Sequence, residues 1–264
     1  MSESPIHLDS TGVVRRLNLI PSPPAFRAAR PGGIVLPPSE IADYDRWPAE
    51  VTIKDQGQYG ACNGHATATA IEYARSVVGM THVPLSAWYV YAILCNGWDR
   101  GSSISDALNQ INDDGIAPES LVPWGTINPR QLTQSARQSA SRFKAEYAAS
   151  LTTWDEIVSA VALGQSLDLS VCVGGNFSSL DSEGVPPAYR GPGNHAVMVG
   201  GGIKTSRRWG KLVRMANSWG TAWGQKGFCW LAKAHIEAGS YFECYSVSAV
   251  YDDPQDTTNP PMVA

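Results

Sequence analysis

The sequence predicts an α+β chain of two lobes, and three observations carry that prediction. Segments up to about residue 165 show helical periods. Segments after it are short β-rich runs separated by Gly, Pro and polar turns. The composition supports a full core: 43% of the 264 residues are hydrophobic and only 17% are charged, which excludes a disordered or coiled-coil protein. A net charge of −4 without a long basic run argues against nucleic acid or an anionic membrane as the main partner. No apolar run approaches the roughly 20 residues of a membrane span.

Residues 1–45 are rich in Pro, Ser and Arg and lack a period. They read as an extended arm lying over a domain, or as a partly disordered leader. The run after Arg15 and Arg16 breaks at Pro21, too short for a signal sequence, so a cytoplasmic chain with reduced thiols is expected, with a virion-associated chain or export by a non-classical route as the alternative. Five cysteines occur (Cys62, Cys95, Cys172, Cys229 and Cys244), an odd number that leaves at least one outside any intrachain pairing. From Cys62 to Val78, Ala66, Ala70, Ile71 and Ala74 recur at helix spacing, with Gly79 as the stop. Ser86 caps an aromatic-rich buried helix, and "SISDALNQINDDG" is a helix ended by Gly115. The stretch from Asn128 to Ala149 is polar and partly basic, with Arg130, Arg137, Arg142 and Lys144 read as a solvated face. "TTWDEIVSAVALGQ" is an amphipathic helix in which Thr153 and Glu156 form a capping box. The strand-rich runs follow from 166 to 251, and residues 252–264 read as a flexible tail. The main domain is therefore expected over 46–251, with a helical lobe over about 46–165 and a β lobe over about 166–251.

Cys62 stands where a polar, Gly-rich loop becomes a helix. A core thiol is the competing reading, because cysteine is often buried as a small apolar residue. As a nucleophile it must ionise, and a helix N-terminus favours the thiolate. It also needs an imidazole, a group to orient that imidazole, and donors for the oxyanion of a tetrahedral intermediate. Gln56 can offer its side-chain N–H beside the Cys62 backbone N–H. His195 opens an apolar strand, and Asn217 ends the next one, where its amide oxygen can accept from the ring. Trp219 and Trp223 can shield that bond, although a packed tryptophan pair needs no such role. His65 is a rival base one turn after Cys62, read as a hydrogen-bonded core histidine. Asp168 and Asp181 are rival orienters, but neither sits in a motif. His7, His82 and His235 lack any motif as well. No Cys or His cluster has metal-ligand spacing, so no metal and no cofactor is expected.

Three segments, "DQGQYGACNGHA", "NHAVMVGGG" and "NSWGTAWGQKGF", resemble the papain family of cysteine peptidases. The separation from Cys62 to His195 also suits the roughly 130–150 residues of such enzymes. The resemblance covers about Leu36 to Tyr251. It implies a papain-like two-lobed fold: a helical lobe carrying Cys62, and an antiparallel β-barrel-like lobe carrying His195 and Asn217 across the cleft. It implies a polypeptide substrate bound by Gly101 and Ser102 on one wall and by Gly193 and Asn194 on the other. "ACNGHA" is closer to bacterial and viral branches than to animal cathepsins. Relatives usually carry a cysteine where Tyr59 stands, bridged to a segment near Cys95, and a Trp where Asn63 stands. The Pro-rich arm is too short to form the family's helical pro-domain, but is long enough to cover the cleft. No insertion that would block one end of the cleft is visible, so an endopeptidase is expected over an exopeptidase. The competing reading is a structural or binding component that kept the peptidase fold, with virion or secretion-assembly partners. A third reading transfers the acyl group to an amine instead of water.

Overall fold

The computed structural model describes residues 5–24, 26 and 33–251. The expected tail lies outside the described residues. Along the chain come β1 (Ile6–Leu8), β2 (Val14–Arg16), β3 (Leu19–Ile20) and β4 (Tyr44–Asp45). The helical side follows with α1 (Cys62–Val77), α2 (Ala87–Cys95), β5 (Ser102–Ser103), α3 (Ile104–Asp113) and α4 (Gln134–Ala140). Then come β6 (Lys144–Ser150), α5 (Trp154–Ala162), β7 (Ser166–Val171), β8 (Gly191–Pro192), β9 (His195–Ser206) and β10 (Gly210–Ala216). β11 (Phe228–Ala232), α6 (Lys233–Glu237), β12 (Gly239–Tyr241) and β13 (Cys244–Tyr251) complete the order.

α1 is buried all round from Cys62 to Arg75, which its run of Ala, Gly and Thr permits. A Cβ on Gly64 would meet the Ala87 carbonyl oxygen at 2.7 Å, so this glycine sets how closely α1 approaches α2. Helix starts follow the local chemistry. Ser86 accepts from Tyr89 N (3.1 Å), Ser103 from Asp106 N (3.2 Å), and Thr153 and Glu156 form the expected reciprocal box.

The β side is a seven-stranded sheet in the order β11-β10-β9-β7-β13-β6, with β4 also on β9 and every pairing antiparallel. Alternation along β9 divides the interior. Val197 and Val199 pack with α5, Trp219 and Trp223, whereas Ala196 and Met198 join Ile71, Leu108 and Cys62 around α1. β9 therefore forms the wall between the two cores, and His195 is its first residue.

The lobe boundary needs correction. β6 pairs with β13 well before residue 166, and α5 packs against the sheet core, so the β side takes in residues 144–165. β6 lies within the stretch read as a solvated polar face; its Ala145 is fully buried. Pairing with β13 imposes the strand, and tertiary context overrides weak local preference.

The triple glycine of β9 forms a bulge opposite Val213 and Met215. Gly201 adopts φ +76°, and a Cβ there would lie 2.9 Å from Trp47 and 3.0 Å from the Arg46 carbonyl oxygen. Gly201→Ala is expected to lower unfolding stability by about 1–3 kcal/mol. Gly175→Ala, with open space around its Cβ position, stays within about 0.5 kcal/mol. Urea unfolding of both variants checks this; equal stabilities would contradict it.

Candidate active site

The loop before α1 and the turn after β10 are tied together by side chains. Gln56 N donates to Ser218 O (2.9 Å), and Ser218 Oγ donates to Gln56 Oε1 (2.7 Å). With its oxygen engaged, Gln56 turns Nε2 inward, where it donates to Tyr59 O (2.7 Å) and reaches the Arg16 carbonyl oxygen at 3.4 Å. Ser218 N donates to Asn217 Oδ1 (2.8 Å), which aims that oxygen, and not the amide nitrogen, at His195. His195 Nε2 lies 2.8 Å from the same oxygen. Nε2 therefore carries the ring proton, and Nδ1, which has no hydrogen-bond partner, presents a lone pair. The structure brings Gln56, Asn217 and His195 together in one chain of bonds through Ser218, and Cys62 is not part of that chain.

Cys62 is the first residue of α1 and is fully buried. Backbone N–H groups of Ala196, Asn63 and Asn18 interact with its thiol. The sequence led us to expect a thiolate lowered by the helix terminus. Here burial outweighs those N–H groups and pushes the thiol up to about 11. Burial likewise drives His195 down to about 4, with the Asn217 bond only partly opposing it. Burial thus disfavours the charged form of both groups.

The N-terminal arm contributes to that burial, since Leu19 packs in the same core cluster as Cys62. It begins as the β1–β2 hairpin. Leu19 N then donates to Asn194 O (3.2 Å), and β3 pairs in parallel with β5. Three of the four residues expected to line the substrate cleft meet this arm. Gly101, at φ +81°, lies so close to the Asn18 carbonyl oxygen that a Cβ would come within 1.8 Å. Ser102 registers with Leu19, and Asn194 accepts from it. Gly193 instead packs on Ser170, whose Oγ would be 2.6 Å from a Cβ. The Asn194 side chain is tied to Val173 N (2.8 Å) and Val173 O (3.0 Å), fixing the strand that leads into His195.

Arg15 locks the arm and was not among the predicted site residues. Only 1% exposed, it donates to Asp9 Oδ2 (2.7 Å), Asp55 Oδ1, Gly57 O (3.1 Å) and Trp219 O (3.0 Å). Its four acceptors lie up to 204 residues away, so only the adjacent acid–base pattern of Asp9 and Arg15 was visible locally. His7 was also passed over. It stacks on Trp219 (5.1 Å, 20°) and bonds Ser178 Oγ (2.9 Å).

Trp219 covers His195 at 4.9 Å and excludes water from the Asn217 bond, and Trp223 packs edge-on against it (5.3 Å). Trp223 Nε1 donates to Ser178 Oγ (2.9 Å). The rivals are placed elsewhere. His65 Nδ1 is 2.8 Å from Ala61 O beneath Trp88. Asp168 accepts from Thr67 (2.7 Å), and Asp181 from Trp209 (2.9 Å). All five cysteines are free. Tyr59 packs its ring between Trp88 and Trp124, and Asn63 bonds Ser102 Oγ (3.0 Å) and Ser103 O (2.6 Å), tying β5 to α1. Among the described residues, no group of three or more His, Cys, Asp and Glu is placed to hold a metal ion.

Comparison with known proteins agrees with this architecture. The chain is 26% identical over 253 residues to cysteine proteinase EP-B 1 of Hordeum vulgare, covering 92% of this chain. The chain spans 65% of the length of that protein. Xylellain, a cysteine protease from Xylella fastidiosa, superposes with a TM-score of 0.72 at 20% identity, covering 88% of this chain and 96% of its own. The ragweed pollen cysteine protease Amb a 11 in its proform superposes at 0.65 with 22% identity, covering 87% of this chain and 74% of its own. The model of the papain family of cysteine proteases matches residues 41–248. With the helical side, the antiparallel sheet and the cleft between them, that match establishes that this chain belongs to the papain family of cysteine proteases.

Proposed function

We propose that the protein is a cysteine endopeptidase of a bacterial or viral branch, held latent by its own N-terminal arm. The observation that carries this reading is the 2.8 Å bond from His195 to Asn217, with Cys62 opening α1 under the arm. In this reading His195 Nδ1 takes the thiol proton once the arm leaves and water readmits charge to the cleft. The Cys62 thiolate attacks the scissile carbonyl carbon. The developing oxyanion is received by Gln56 Nε2 and the Cys62 N–H. The Arg16 carbonyl oxygen, 3.4 Å from Gln56 Nε2, now stands near that place. Imidazolium His195 returns the proton to the leaving amine. A water deprotonated by His195 then releases the carboxylate product and the free thiol.

Endopeptidase is favoured by the arm's path. The arm passes Trp219 at Arg15, pairs with β5 and reaches Ser105 at Ser22, so the cleft holds an extended segment of several residues. Cys62→Ala is expected to reduce cleavage of an unfolded protein by about 10³-fold or more. Mass spectrometry with an epoxide-type thiol probe supplies the companion measurement. Retained cleavage in the variant, or a folded chain that never gains a Cys62 adduct, would favour a structural or assembly component instead.

Latency rests on Arg15. Removing a buried guanidinium leaves Asp9 buried without its cation, a defect of about 3–5 kcal/mol in comparable pairs. Arg15→Ala is expected to raise the iodoacetamide labelling rate of Cys62 at pH 7.5 at least tenfold over the intact chain. Equal rates would contradict a latch at Arg15.

Acid is expected to loosen the arm. Burial holds docked His7 below its usual range, with the Asp9 charge only partly opposing it. Docking therefore weakens as pH falls below about 6.5, where undocked His7 takes up a proton first. Burial raises the Asp9 carboxyl, but bonds from Thr11 and Arg15 outweigh it and hold it low, so its contribution is lost at still lower pH. Hydrogen exchange at the Leu19 amide, corrected for the intrinsic rate, should show less protection at pH 5 than at pH 7. His7→Gln should flatten that change, and greater protection in acid would contradict it.

A further inference from the structure

Asp99 lies in the turn between α2 and β5, and one of its oxygens joins three segments beside the cleft. Oδ1 accepts from Gly60 N (2.8 Å), two residues before Cys62, and from Tyr91 OH (2.5 Å) on α2. Tyr91 is fully buried, and its hydroxyl accepts in turn from Gly101 N (3.2 Å). Burial, and then the bond and charge of Asp99, push that hydroxyl up, which keeps it a donor. A single carboxylate oxygen therefore fixes Gly60 on the loop that delivers Cys62 and, through Tyr91, Gly101 at the start of the wall strand.

The Tyr59–Gly60 peptide is held on both sides. Its carbonyl accepts from Gln56 Nε2 (2.7 Å), and its N–H donates to Asp99. The arm shows what the two glycines frame. Asn18 lies between them: a Cβ on Gly60 would meet Asn18 Nδ2 at 2.4 Å, and one on Gly101 would meet its carbonyl oxygen at 1.8 Å. The gap thus admits an extended backbone, and the groups bonded to Asp99 set its width. All five cysteines are free, so no disulfide braces these segments. Hydrogen bonds to a carboxylate, among the stronger kind, hold them instead. Asn63 gives β5 a separate attachment to α1. The second oxygen of Asp99 faces the arm, 3.7 Å from Arg16 Nε in a partly exposed ion pair of small worth.

We propose that Asp99 is a positioning residue for the peptidase reaction: its Oδ1 sets the spacing of Gly60 and Gly101, so that a substrate backbone gripped between them brings its scissile carbonyl to Cys62 and Gln56. This rests on the peptidase reading and adds to it a residue that acts through others. The two oxygens have separate duties. Oδ1 needs only to accept, so an amide oxygen can replace it, whereas the Arg16 contact of Oδ2 needs the charge.

The test compares two reagents on Cys62 of the full chain. A peptidyl epoxide must lie along the walls, and iodoacetamide is too small to use them. Labelling is read by mass spectrometry at concentrations where each rate is first order in reagent. Arm opening then multiplies both rates equally and cancels from their ratio. Asp99→Ala should lower the epoxide-to-iodoacetamide ratio by about tenfold or more, the loss expected for bonds to a charged group. Asp99→Asn should keep it within about twofold, because one amide oxygen accepts both bonds. Tyr91→Phe, which releases Gly101 and leaves Gly60 bonded, should lower it by about threefold or more, and it decides the matter where Asp99→Ala fails to fold. Hydrogen-exchange protection at the Gly60 and Gly101 amides should fall in Asp99→Ala and persist in Asp99→Asn. An unchanged ratio in Asp99→Ala, or in Tyr91→Phe where the first does not fold, would overturn the proposal. So would an equal fall in Asp99→Asn, which would assign the effect to charge. Failure of the epoxide to label Cys62 of the intact chain would overturn the peptidase reading itself and the proposal with it.

Discussion

A guanidinium sealed from water ties the N-terminal arm to the rest of this structure. Arg15 joins the arm's own Asp9, the Asp55–Gly57 loop that leads to Cys62, and the Trp219 carbonyl that follows Asn217. One side chain thus fastens the arm to both walls of the cleft. Its charge is matched by two carboxylates and its remaining donors by carbonyls, the condition under which a buried ion contributes to a unique arrangement. The parallel β3–β5 contact and the Leu19 bond to Asn194 extend the path that this anchor begins.

The chemistry of the site depends on that fastening through water. Cys62 and His195 are fully buried, and the same desolvation raises the acid and lowers the base. Burial disfavours the charged form of each. Asn217 and Ser218 fix the imidazole ring, and Gln56 turns its N–H toward the Arg16 carbonyl, while His195 Nδ1 makes no hydrogen bond to Cys62.

Much of the site was legible because its chemistry requires particular residue types at element ends. Cys62 at a helix start, His195 at a strand start and Asn217 at a strand end were placed by local pattern, and the structure joins the last two at 2.8 Å. The α+β division was legible too, since periodicity changes along the chain. The path of the arm was not legible, because its contacts are with residues far away in sequence and its Pro-rich stretches carry no period. β6 was misplaced because "KAEYAAS" has no strong strand preference, and only β13 gives it a partner. The burial of Cys62 was not legible either: a helix terminus can be seen in a sequence, but the removal of water by packing cannot.

The most direct measurement is a crystal structure of the full chain after reaction with a peptidyl epoxide. The account predicts one adduct on Cys62, His195 Nδ1 turned to the modified sulfur, and the arm displaced from β5 and Asn194. An adduct on another cysteine, or an arm still bonded from Leu19 N to Asn194 O with Cys62 modified, would contradict it.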